Sequence, residues 1–287
     1  MIQLVSVAGY LVLAPFVGAL LDGLDRKLSA RMQGRQGPPL LQPFYDLGKL
    51  FSKQMIAVNR VQILLNLSYL VFLAIAGSML FAGADILMCT FLLSTADMFL
   101  VMAASSDSSP FSTLGAGREM IQMMDYEPLT LLMAVGFYLA TGSFHVGSIV
   151  QAPVSAVLLM PGFLLGFVFI TAIKLRKSPF DLSTSHHAHQ EMVKGITTEM
   201  SGPALGIVNV AEYYEMVLML GIVALFFVNR NWWSWPLAVL ACLAVYFLEL
   251  LWDNVSARVK WDTLLKSCWV ATLLTGGLNG LILMLVR

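Results

Sequence analysis

Eight continuous apolar runs occupy most of this 287-residue chain. They lie at 2–21, 61–82, 86–105, 119–141, 154–175, 204–228, 235–255 and 267–286. A helix needs about 20 apolar residues to cross about 30 Å of hydrocarbon. Because the runs are continuous rather than alternating, they indicate helices and not a barrel. The sequence therefore predicts an all-α polytopic membrane protein with about eight transmembrane helices, folded as a single integral membrane domain over residues 1–287.

The composition excludes several functions for this chain. Its formal net charge is zero, so no nucleic acid partner is indicated, and the lipid bilayer is the expected surrounding. The three cysteines, Cys89, Cys242 and Cys268, lie singly in three different apolar runs. No CxxC spacing occurs, so we expect no cofactor, no iron–sulfur cluster and no structural zinc in the chain itself.

The basic residues predict an orientation. Of the 17 lysines and arginines, 15 lie in or beside the loops that follow the first, third, fifth and seventh runs. The positive-inside rule places those loops in the cytoplasm and both termini outside. The predicted location is therefore the inner (cytoplasmic) membrane, with two long cytoplasmic loops at about 22–60 and 176–203.

The first long loop is predicted to contain a short helix. Gly37, Pro38 and Pro39 force a turn, and apolar residues then recur at helical spacing from Leu40 to Phe51. Such an amphipathic helix can rest on lipid or serve as a docking platform for a soluble partner, and the sequence leaves both open.

The second long loop holds three histidines, His186, His187 and His189. At these spacings the imidazoles do not share one helical face, and no fourth ligand is evident. We therefore expect no metal here, and interpret the histidines as polar loop contacts or as a proton relay, since histidine titrates near neutral pH.

Acidic residues inside the apolar runs are the main functional signal. Each costs about 2.5–3.5 kcal/mol on insertion scales, which makes it a functional hypothesis by default. Asp253 and Glu119, near helix ends, are interpreted as partners of loop lysines or arginines or as interfacial groups. Asp97, Glu127, Glu212 and Glu249 are predicted to be buried between helices. The candidate proton or ion path comprises Asp97, Asp125, Glu127, Asp181, Glu191, Glu199, Glu212, Glu215, Glu249 and Asp253.

Four stretches carry a family resemblance. They are Arg35-Gln-Gly-Pro with Leu41-Gln-Pro, Gly115-Ala-Gly-Arg118 with Tyr126-Glu127, Ser178-Pro-Phe-Asp-Leu with Glu199-Met-Ser-Gly and Ala211-Glu-Tyr, and Arg258-Val-Lys-Trp-Asp262. In register, they resemble the respiratory complex I subunit 1 family. Lys174-Leu-Arg-Lys stands where complex I has E-T-N-R, and the loop with the three histidines looks like that of the Ech-type energy-converting NiFe hydrogenase membrane subunit.

The resemblance implies a non-catalytic anchor and ion-translocation subunit of an oxidoreductase complex. Its partners would be a peripheral NiFe hydrogenase large subunit, an iron–sulfur small subunit and an antiporter-like membrane subunit. The NiFe centre and iron–sulfur clusters would lie in those partners, and ferredoxin would act indirectly. Redox chemistry would then be linked to H⁺ or Na⁺ transport. The residues assigned to partner docking are Arg35, Asp46, Lys49, Arg118, Arg258 and Asp262.

Two alternatives remain open. One keeps the family but changes the chemistry, to a quinone-reducing complex I-type enzyme or to a formate- or CO-linked hydrogenase. The other is a stand-alone ion transporter. The docking-type loops and the absence of an inverted sequence repeat disfavour the transporter.

Overall fold

The computed structural model describes residues 2–55, 59–180, 182–184, 194–257 and 259–286. Within these ranges the regular structure is helical, and the one extended pairing is an isolated bridge between Asp85 and His145. The helices are α1 (Ile2–Met32), α2 (Gln42–Ser52), α3 (Arg60–Phe81), α4 (Ile86–Ser105), α5 (Pro110–Thr141), α6 (Val146–Val150), α7 (Ala156–Leu159), α8 (Pro161–Lys174), α9 (Pro203–Phe227), α10 (Ser234–Val255), α11 (Trp261–Ala271) and α12 (Leu278–Val286). A 3₁₀ turn (Gly195–Thr197) precedes α9, and a π-helical segment (Thr272–Gly277) joins α11 to α12.

Most of the predicted spans are confirmed. Six helical stretches of the described chain are long and apolar enough to cross a membrane: Gln3–Met32, Arg60–Phe81, Ile86–Ser105, Pro203–Phe227, Ser234–Val255 and Trp261–Leu285. The all-α polytopic membrane fold predicted from the sequence is therefore correct.

Three predicted boundaries need correction. α1 continues past the predicted end at 21 to Met32, so part of the predicted loop 22–60 is helix. The predicted span 119–141 is the second part of α5, whose 32 residues rise about 48 Å and exceed the hydrocarbon thickness. The predicted span 154–175 is interrupted at Met160, which separates the one-turn α7 from the 14-residue α8.

Proline and asparagine explain how α8 begins. Pro161 occupies its first turn, where a missing N–H costs no helical hydrogen bond. The side chain of Asn279 on α12 replaces an N-cap, because its Oδ1 accepts hydrogen bonds from the backbone N–H groups of Gly162 (2.9 Å) and Phe163 (3.4 Å). The N-terminus of α8 is thereby fixed to α12.

The loops gather on two opposite faces. The wide face comprises the described parts of 33–59, 106–109, 175–202 and 256–260. Its segments touch one another: Asn59 Nδ2 donates to Asp107 Oδ1 at 2.8 Å, and Val259 N donates to Pro179 O at 3.2 Å. A Cβ on Gly202 would lie 3.6 Å from the Cβ of Lys53. The wide face is thus one continuous surface.

The narrow face comprises 82–85, 142–155 and 228–233. Val146 N donates to Ala84 O at 2.9 Å, and Arg230 N donates to Ala152 O at 3.1 Å. This division reproduces the alternation of loops predicted from the basic residues. The assignment of the wide face to the cytoplasm remains a prediction.

The predicted amphipathic helix exists as α2. It lies along the wide face, with Pro43 buried and Phe44 stacked on Phe16 of α1 at 6.0 Å between ring centroids. Tyr45 and Phe51 are exposed. The exposed side of α2 is therefore accessible to lipid or to a partner protein.

The interior is built around α9, which packs against α1, α3, α8 and α10. Large side chains that are fully buried here include Tyr69, Phe137, Phe167 and Phe226. Phe226 on α9 contacts Phe137 on α5 and Phe167 on α8, with ring centroids 4.8 and 6.3 Å apart. These aromatic contacts therefore pack α5, α8 and α9 against one another in the interior.

A glycine lets α5 contact the wide-face loop closely. A Cβ on Gly115 would lie 2.5 Å from the backbone nitrogen of Ile196, which is closer than real Cβ contacts allow. Two residues along the same helix, Gly117 has nothing within 4 Å of its would-be Cβ.

We expect Gly115→Ala to separate α5 from the loop and to lower stability by about 1–3 kcal/mol, as overpacking does. Gly117→Ala, the matched control, should raise stability by about 0.5–1 kcal/mol because it removes a helical glycine. Thermal unfolding of the purified protein in detergent measures both. Equal midpoints for the two variants would contradict the close contact.

Candidate functional site

Three cations stand together where α8 ends on the wide face: Lys174, Arg176 and Lys177. The helix closes with Leu175 N donating to Thr171 O at 2.9 Å. Arg176 has φ +50°, a left-handed conformation that is strained for a residue with a side chain. At the end of α8, the three side chains contact three different sets of carboxylates.

Lys174 lies between two buried carboxylates. Its Nζ contacts Asp97 Oδ2 on α4 and Glu215 Oε1 on α9, the latter at 2.8 Å. Tyr126 donates its hydroxyl to Asp97 at 2.8 Å, and Tyr69 donates to Glu215 at 2.9 Å. The Lys174 ammonium also lies 5.0 Å from the centroid of the Tyr126 ring. All five side chains are buried.

Arg176 joins two further helices. Its Nη2 donates to Glu119 Oε1 on α5 at 3.0 Å, and its Nη1 donates to Glu212 Oε1 on α9 at 2.6 Å. Burial lowers the pKa of the Arg176 guanidinium, but Glu119 and Glu212 outweigh this and raise the pKa above its usual range. Arg176 is therefore a permanent positive charge held between α5 and α9.

Lys177 faces the opposite side, toward α1 and α10. Its ammonium forms an ion pair with Asp25 on α1. Burial lowers the pKa of Lys177 below its usual value. The next residue, Ser178, donates its backbone N–H to Asp253 Oδ1 at 2.8 Å.

Glu249 lies one helical turn before Asp253 on α10. It is fully buried, and neither of its carboxylate oxygens has a hydrogen-bond partner among the described residues. A buried carboxylate without partners is strongly disfavoured in its charged form.

The polar stripe of α5 anchors the segment that follows the three cations. Gln122 Nε2 donates to Phe180 O at 2.7 Å, and Arg118 Nη1 donates to Leu182 O at 3.4 Å. Phe180 packs edge-to-face on Trp252 of α10, with ring centroids 5.7 Å apart. Phe180 and Leu182 thus attach the segment after the three cations to α5 and α10.

The structure brings together only part of the predicted ion path. Asp97, Glu212 and Glu215 meet at Lys174 and Arg176, whereas Glu249 and Asp253 lie on α10 near Lys177. Other predicted members lie apart: Asp125 is buried with one oxygen lacking a partner among the described residues, Glu127 is half-buried on α5, and Glu199 is exposed. Asp181 and Glu191 lie outside the described residues, as do His186, His187 and His189.

The predicted docking residues are mostly on the wide face. Arg35 and Lys49 are exposed, and Asp46 pairs with Arg26 at 2.8 Å. Asp262 is exposed in the first turn of α11, where the helix dipole favours a negative charge. Arg118 differs from these exposed residues, because its side chain is half-buried and donates to the backbone of the loop that follows α8. Arg258 lies outside the described residues.

Sequence reasoning missed the cations themselves. Lys174, Arg176 and Lys177 were interpreted as orientation signals and as a departure from the complex I pattern, not as partners of the buried acids, and Asp25 was placed in a loop that is in fact helix. The interpretation of Glu119 as a partner of a loop arginine agrees with its contact to Arg176. A usable signal existed: several acidic residues inside apolar runs need counter-charges, and Lys174-Leu-Arg-Lys is a dense basic cluster directly joined to an apolar run.

The fold and the site define a polytopic membrane protein with charged residues paired in its interior. The chain belongs to the NADH dehydrogenase family, whose family model matches residues 5–284. The predicted resemblance to the complex I subunit 1 family is thereby confirmed.

Two curated relatives illustrate the similarity. Hydrogenase-4 component C of Escherichia coli (strain K12) is 29% identical over 287 residues, covering 90% of this chain and 89% of that protein. A subunit of the NADH-quinone oxidoreductase of Rhodospirillum rubrum is 28% identical over 293 residues, covering 90% and 86%. These relatives are subunits of oxidoreductase complexes, one hydrogenase-type and one complex I-like.

A solved structure shares the fold. A chain in the membrane-bound sulfane sulfur reductase, an archaeal respiratory membrane complex, superposes with a TM-score of 0.89 at 19% identity. The match covers 99% of this chain and 100% of that chain. The chain therefore shares its overall fold with a chain of a known respiratory membrane complex.

We expect Arg176→Met to destabilise the protein by about 3–5 kcal/mol, because it leaves buried carboxylate charge without a partner. Arg26→Met is the matched control. Arg26 also joins two carboxylates, Asp22 and Asp46, but its side chain is 41% exposed, so the loss should be about 0–1 kcal/mol. Thermal unfolding in detergent compares them. Similar losses of stability in the two variants would show that the burial of Arg176 does not set its contribution to stability.

Proposed function

We propose that this chain is the membrane anchor and ion-translocation subunit of an energy-converting, Ech-type NiFe hydrogenase. In this role it links ferredoxin and hydrogen redox chemistry in peripheral partner subunits to H⁺ or Na⁺ movement through the membrane. The chain itself carries no redox centre in this proposal. The NiFe centre and the iron–sulfur clusters belong to the hydrogenase large and small subunits, and an antiporter-like membrane subunit is the neighbour in the bilayer.

One observation carries the proposal: a set of buried carboxylates paired with the cations at the end of α8. Asp97, Glu215 and Glu119 are buried, whereas the side chain of Glu212, which was predicted to be buried, is 37% exposed; together the four surround Lys174 and Arg176. Buried ion pairs contribute little net stability compared with apolar packing, so their concentration here favours a functional role. Titratable groups in hydrogen-bond contact are the components that a proton path requires.

The wide face supports the docking part of the proposal. It joins the turn after Gly34, α2 and the described part of the loop after α8 into one surface, with exposed charges of both signs and the exposed aromatic rings of Tyr45 and Phe51. Aromatic side chains are enriched in protein interfaces, and the rim around the interface core is polar. The 29% identity to a hydrogenase-4 component supports a hydrogenase as the partner.

A second candidate is subunit 1 of a quinone-reducing complex I-type enzyme. The observation that favours it is the 28% identity to an NADH-quinone oxidoreductase subunit, which nearly equals the identity to the hydrogenase component. Purifying the native complex through a tag on this chain separates the two. Stoichiometric nickel with hydrogen evolution from reduced ferredoxin supports the hydrogenase, and quinone reduction without nickel supports the alternative.

The expectation that His186, His187 and His189 bind no metal remains a prediction, which elemental analysis of the isolated chain tests.

We expect Glu212→Gln and Glu127→Gln to leave the complex assembled and to abolish or uncouple ion movement. Each glutamine removes a titratable group while keeping the side-chain volume, and it also lowers the insertion cost of the helix. Ferredoxin-driven proton uptake in proteoliposomes measures the effect beside hydrogen evolution.

The control for these variants is Asp85→Asn on the narrow face. Asp85 caps α4 through Leu87 N at 2.8 Å, and asparagine caps helices equally well. Wild-type uptake in both glutamine variants would remove these residues from the proposed path.

We expect Arg35→Glu to release the peripheral hydrogenase module from membranes, because it reverses an exposed charge on the wide face. Arg230→Glu, on the narrow face, should leave the module bound. Sedimentation of washed membranes followed by immunodetection of the large subunit reports both. Retention of the module in Arg35→Glu, Lys49→Glu and a deletion within the loop after α8 would contradict the docking assignment.

A further inference from the structure

The turn before α10, on the narrow face, is fixed by its own polar side chains. Asn229 Nδ2 donates to Ser155 Oγ at 2.8 Å, and Asn231 N donates to Asn229 Oδ1 at 2.8 Å. At the end of the turn, the buried Ser234 donates its hydroxyl to Asn231 O at 2.6 Å. Because these hydrogen bonds hold the backbone, the side chains between them are presented outward in a defined arrangement.

Three indole rings lie exposed at this turn. Trp232, Trp233 and Trp235 expose 66%, 67% and 56% of their surface. The rings of Trp232 and Trp233 stack, with centroids 3.8 Å apart. Three of the six tryptophans of the chain are therefore gathered on one small part of its surface. A contiguous exposed apolar patch of this kind marks an interaction surface.

The length of α10 sets the depth of these rings in the bilayer. Its 22 residues rise about 33 Å, close to the about 30 Å of a hydrocarbon core. From Leu237 to Leu251 its exposed side chains are apolar. The tryptophans come directly before this apolar band, so they lie where the hydrocarbon meets the headgroups. Tryptophan is enriched at this level of membrane proteins.

One cation accompanies the indoles. Arg230 is the single lysine or arginine in the narrow-face loops 82–85, 142–155 and 228–233. It is exposed, and its guanidinium has no ion-pair partner among the described residues. Asp85, the single acidic residue of those loops, caps α4 by accepting from Leu87 N at 2.8 Å. The charge presented beside the indoles is therefore positive, which is complementary to a lipid phosphate.

We infer that Arg230, Trp232, Trp233 and Trp235 form a binding site for one anionic phospholipid in the leaflet at the narrow face. The guanidinium donates to the phosphodiester oxygens in a charge-assisted pair. The indoles lie beside the glycerol and ester groups, a position that suits an apolar ring with one N–H donor. A zwitterionic lipid fits less well, because its own cationic group competes with Arg230 for the phosphate.

Apolar surface for the acyl chains lies on both sides of the turn. Leu237 is exposed at the start of α10, and Leu158 is exposed on α7. The hydrogen bond between Asn229 and Ser155 joins the segment that leads into α7 to the turn. The lipid therefore covers the junction between α10 and the interrupted region before α8. This site is independent of the proposed ion transport, whose carboxylates contact the cations on the wide face.

Photo-crosslinking of the full chain in lipid nanodiscs tests the site. The reference variant carries Trp235→p-benzoylphenylalanine, and the nanodiscs contain phosphatidylglycerol as a minor component in phosphatidylcholine. Mass spectrometry of the crosslinked products measures the enrichment of phosphatidylglycerol over its share of the bilayer. We expect enrichment in the reference variant. Adding Arg230→Gln should lower it about fivefold, the effect of one cation near an anionic lipid surface.

Two further variants separate the site from general charge attraction. Lys53→Gln, added to the same reference variant, removes an exposed cation on the wide face and should leave the enrichment unchanged. Trp232→Ala with Trp233→Ala keeps Arg230 and should lower the enrichment, because the lipid loses the stacked rings. All the substituted side chains are exposed, so the core is unaltered in each variant. Equal enrichment with and without Arg230→Gln, or an equal loss in Lys53→Gln, overturns the inference.

Two arms identify the occupant. Inorganic phosphate added to the nanodiscs should leave the enrichment unchanged, whereas its loss would indicate a site for a free anion. The same crosslinker in the purified native complex should give lipid products, whereas a crosslink to another subunit would show that a protein covers the indoles. Either contrary result overturns the lipid assignment. Arg230→Glu remains a valid docking control, because the lipid site lies on the face opposite the docking surface.

Discussion

The compensation of buried carboxylates by a short basic segment is the interaction on which the interior depends. Lys174, Arg176 and Lys177 lie within four residues, yet their partners come from α1, α4, α5 and α9. Without these cations, the acidic side chains would be charged groups in a low-dielectric medium, each costing several kcal/mol. The ion pairs therefore fix which helices lie next to each other, because separating a pair would leave a buried charge without its partner.

The same segment connects the buried charges to the surface. Directly after Lys177 the chain reaches Phe180, whose carbonyl is held by Gln122 of α5 and whose ring packs on Trp252 of α10. The wide face and the carboxylate cluster are thus separated by only a few residues of chain. A displacement of this loop by a bound partner would change the environment of the cations, which gives the proposed coupling a physical route.

Hydrophobicity made the fold predictable. Continuous apolar runs identify α3, α4, α9 and α10 closely, and the spacing after Pro39 identified α2, because burial in lipid or against the bundle requires those patterns. The ends of α1 and α5 were not predictable in this way, since helix that extends beyond the hydrocarbon reads as an ordinary polar stretch. The break at Met160 was likewise hidden inside an apolar run.

The sequence predicted the acidic residues of the site but not the cations that pair with them. Asp97, Glu212 and Glu215 are conspicuous because a charge in an apolar run has no other ready explanation. Lys174 and Arg176 were not, because a lysine or arginine at the end of a span normally lies at the interface and reports orientation. Only tertiary packing shows that these side chains turn inward, and the left-handed backbone of Arg176 that permits it has no signature in the sequence.

The two attachments of α8 restrict how this segment can vary among proteins of the same architecture. At one end Asn279 holds the N–H groups of Gly162 and Phe163, and at the other Lys174 reaches Asp97 and Glu215. Inserting or deleting one residue between them would rotate one end by about 100° relative to the other and shift it by about 1.5 Å. Such a change would turn every cation away from its carboxylates. The number of residues in α8 is therefore as constrained as their identity, and length variation should be confined to the loops on either side.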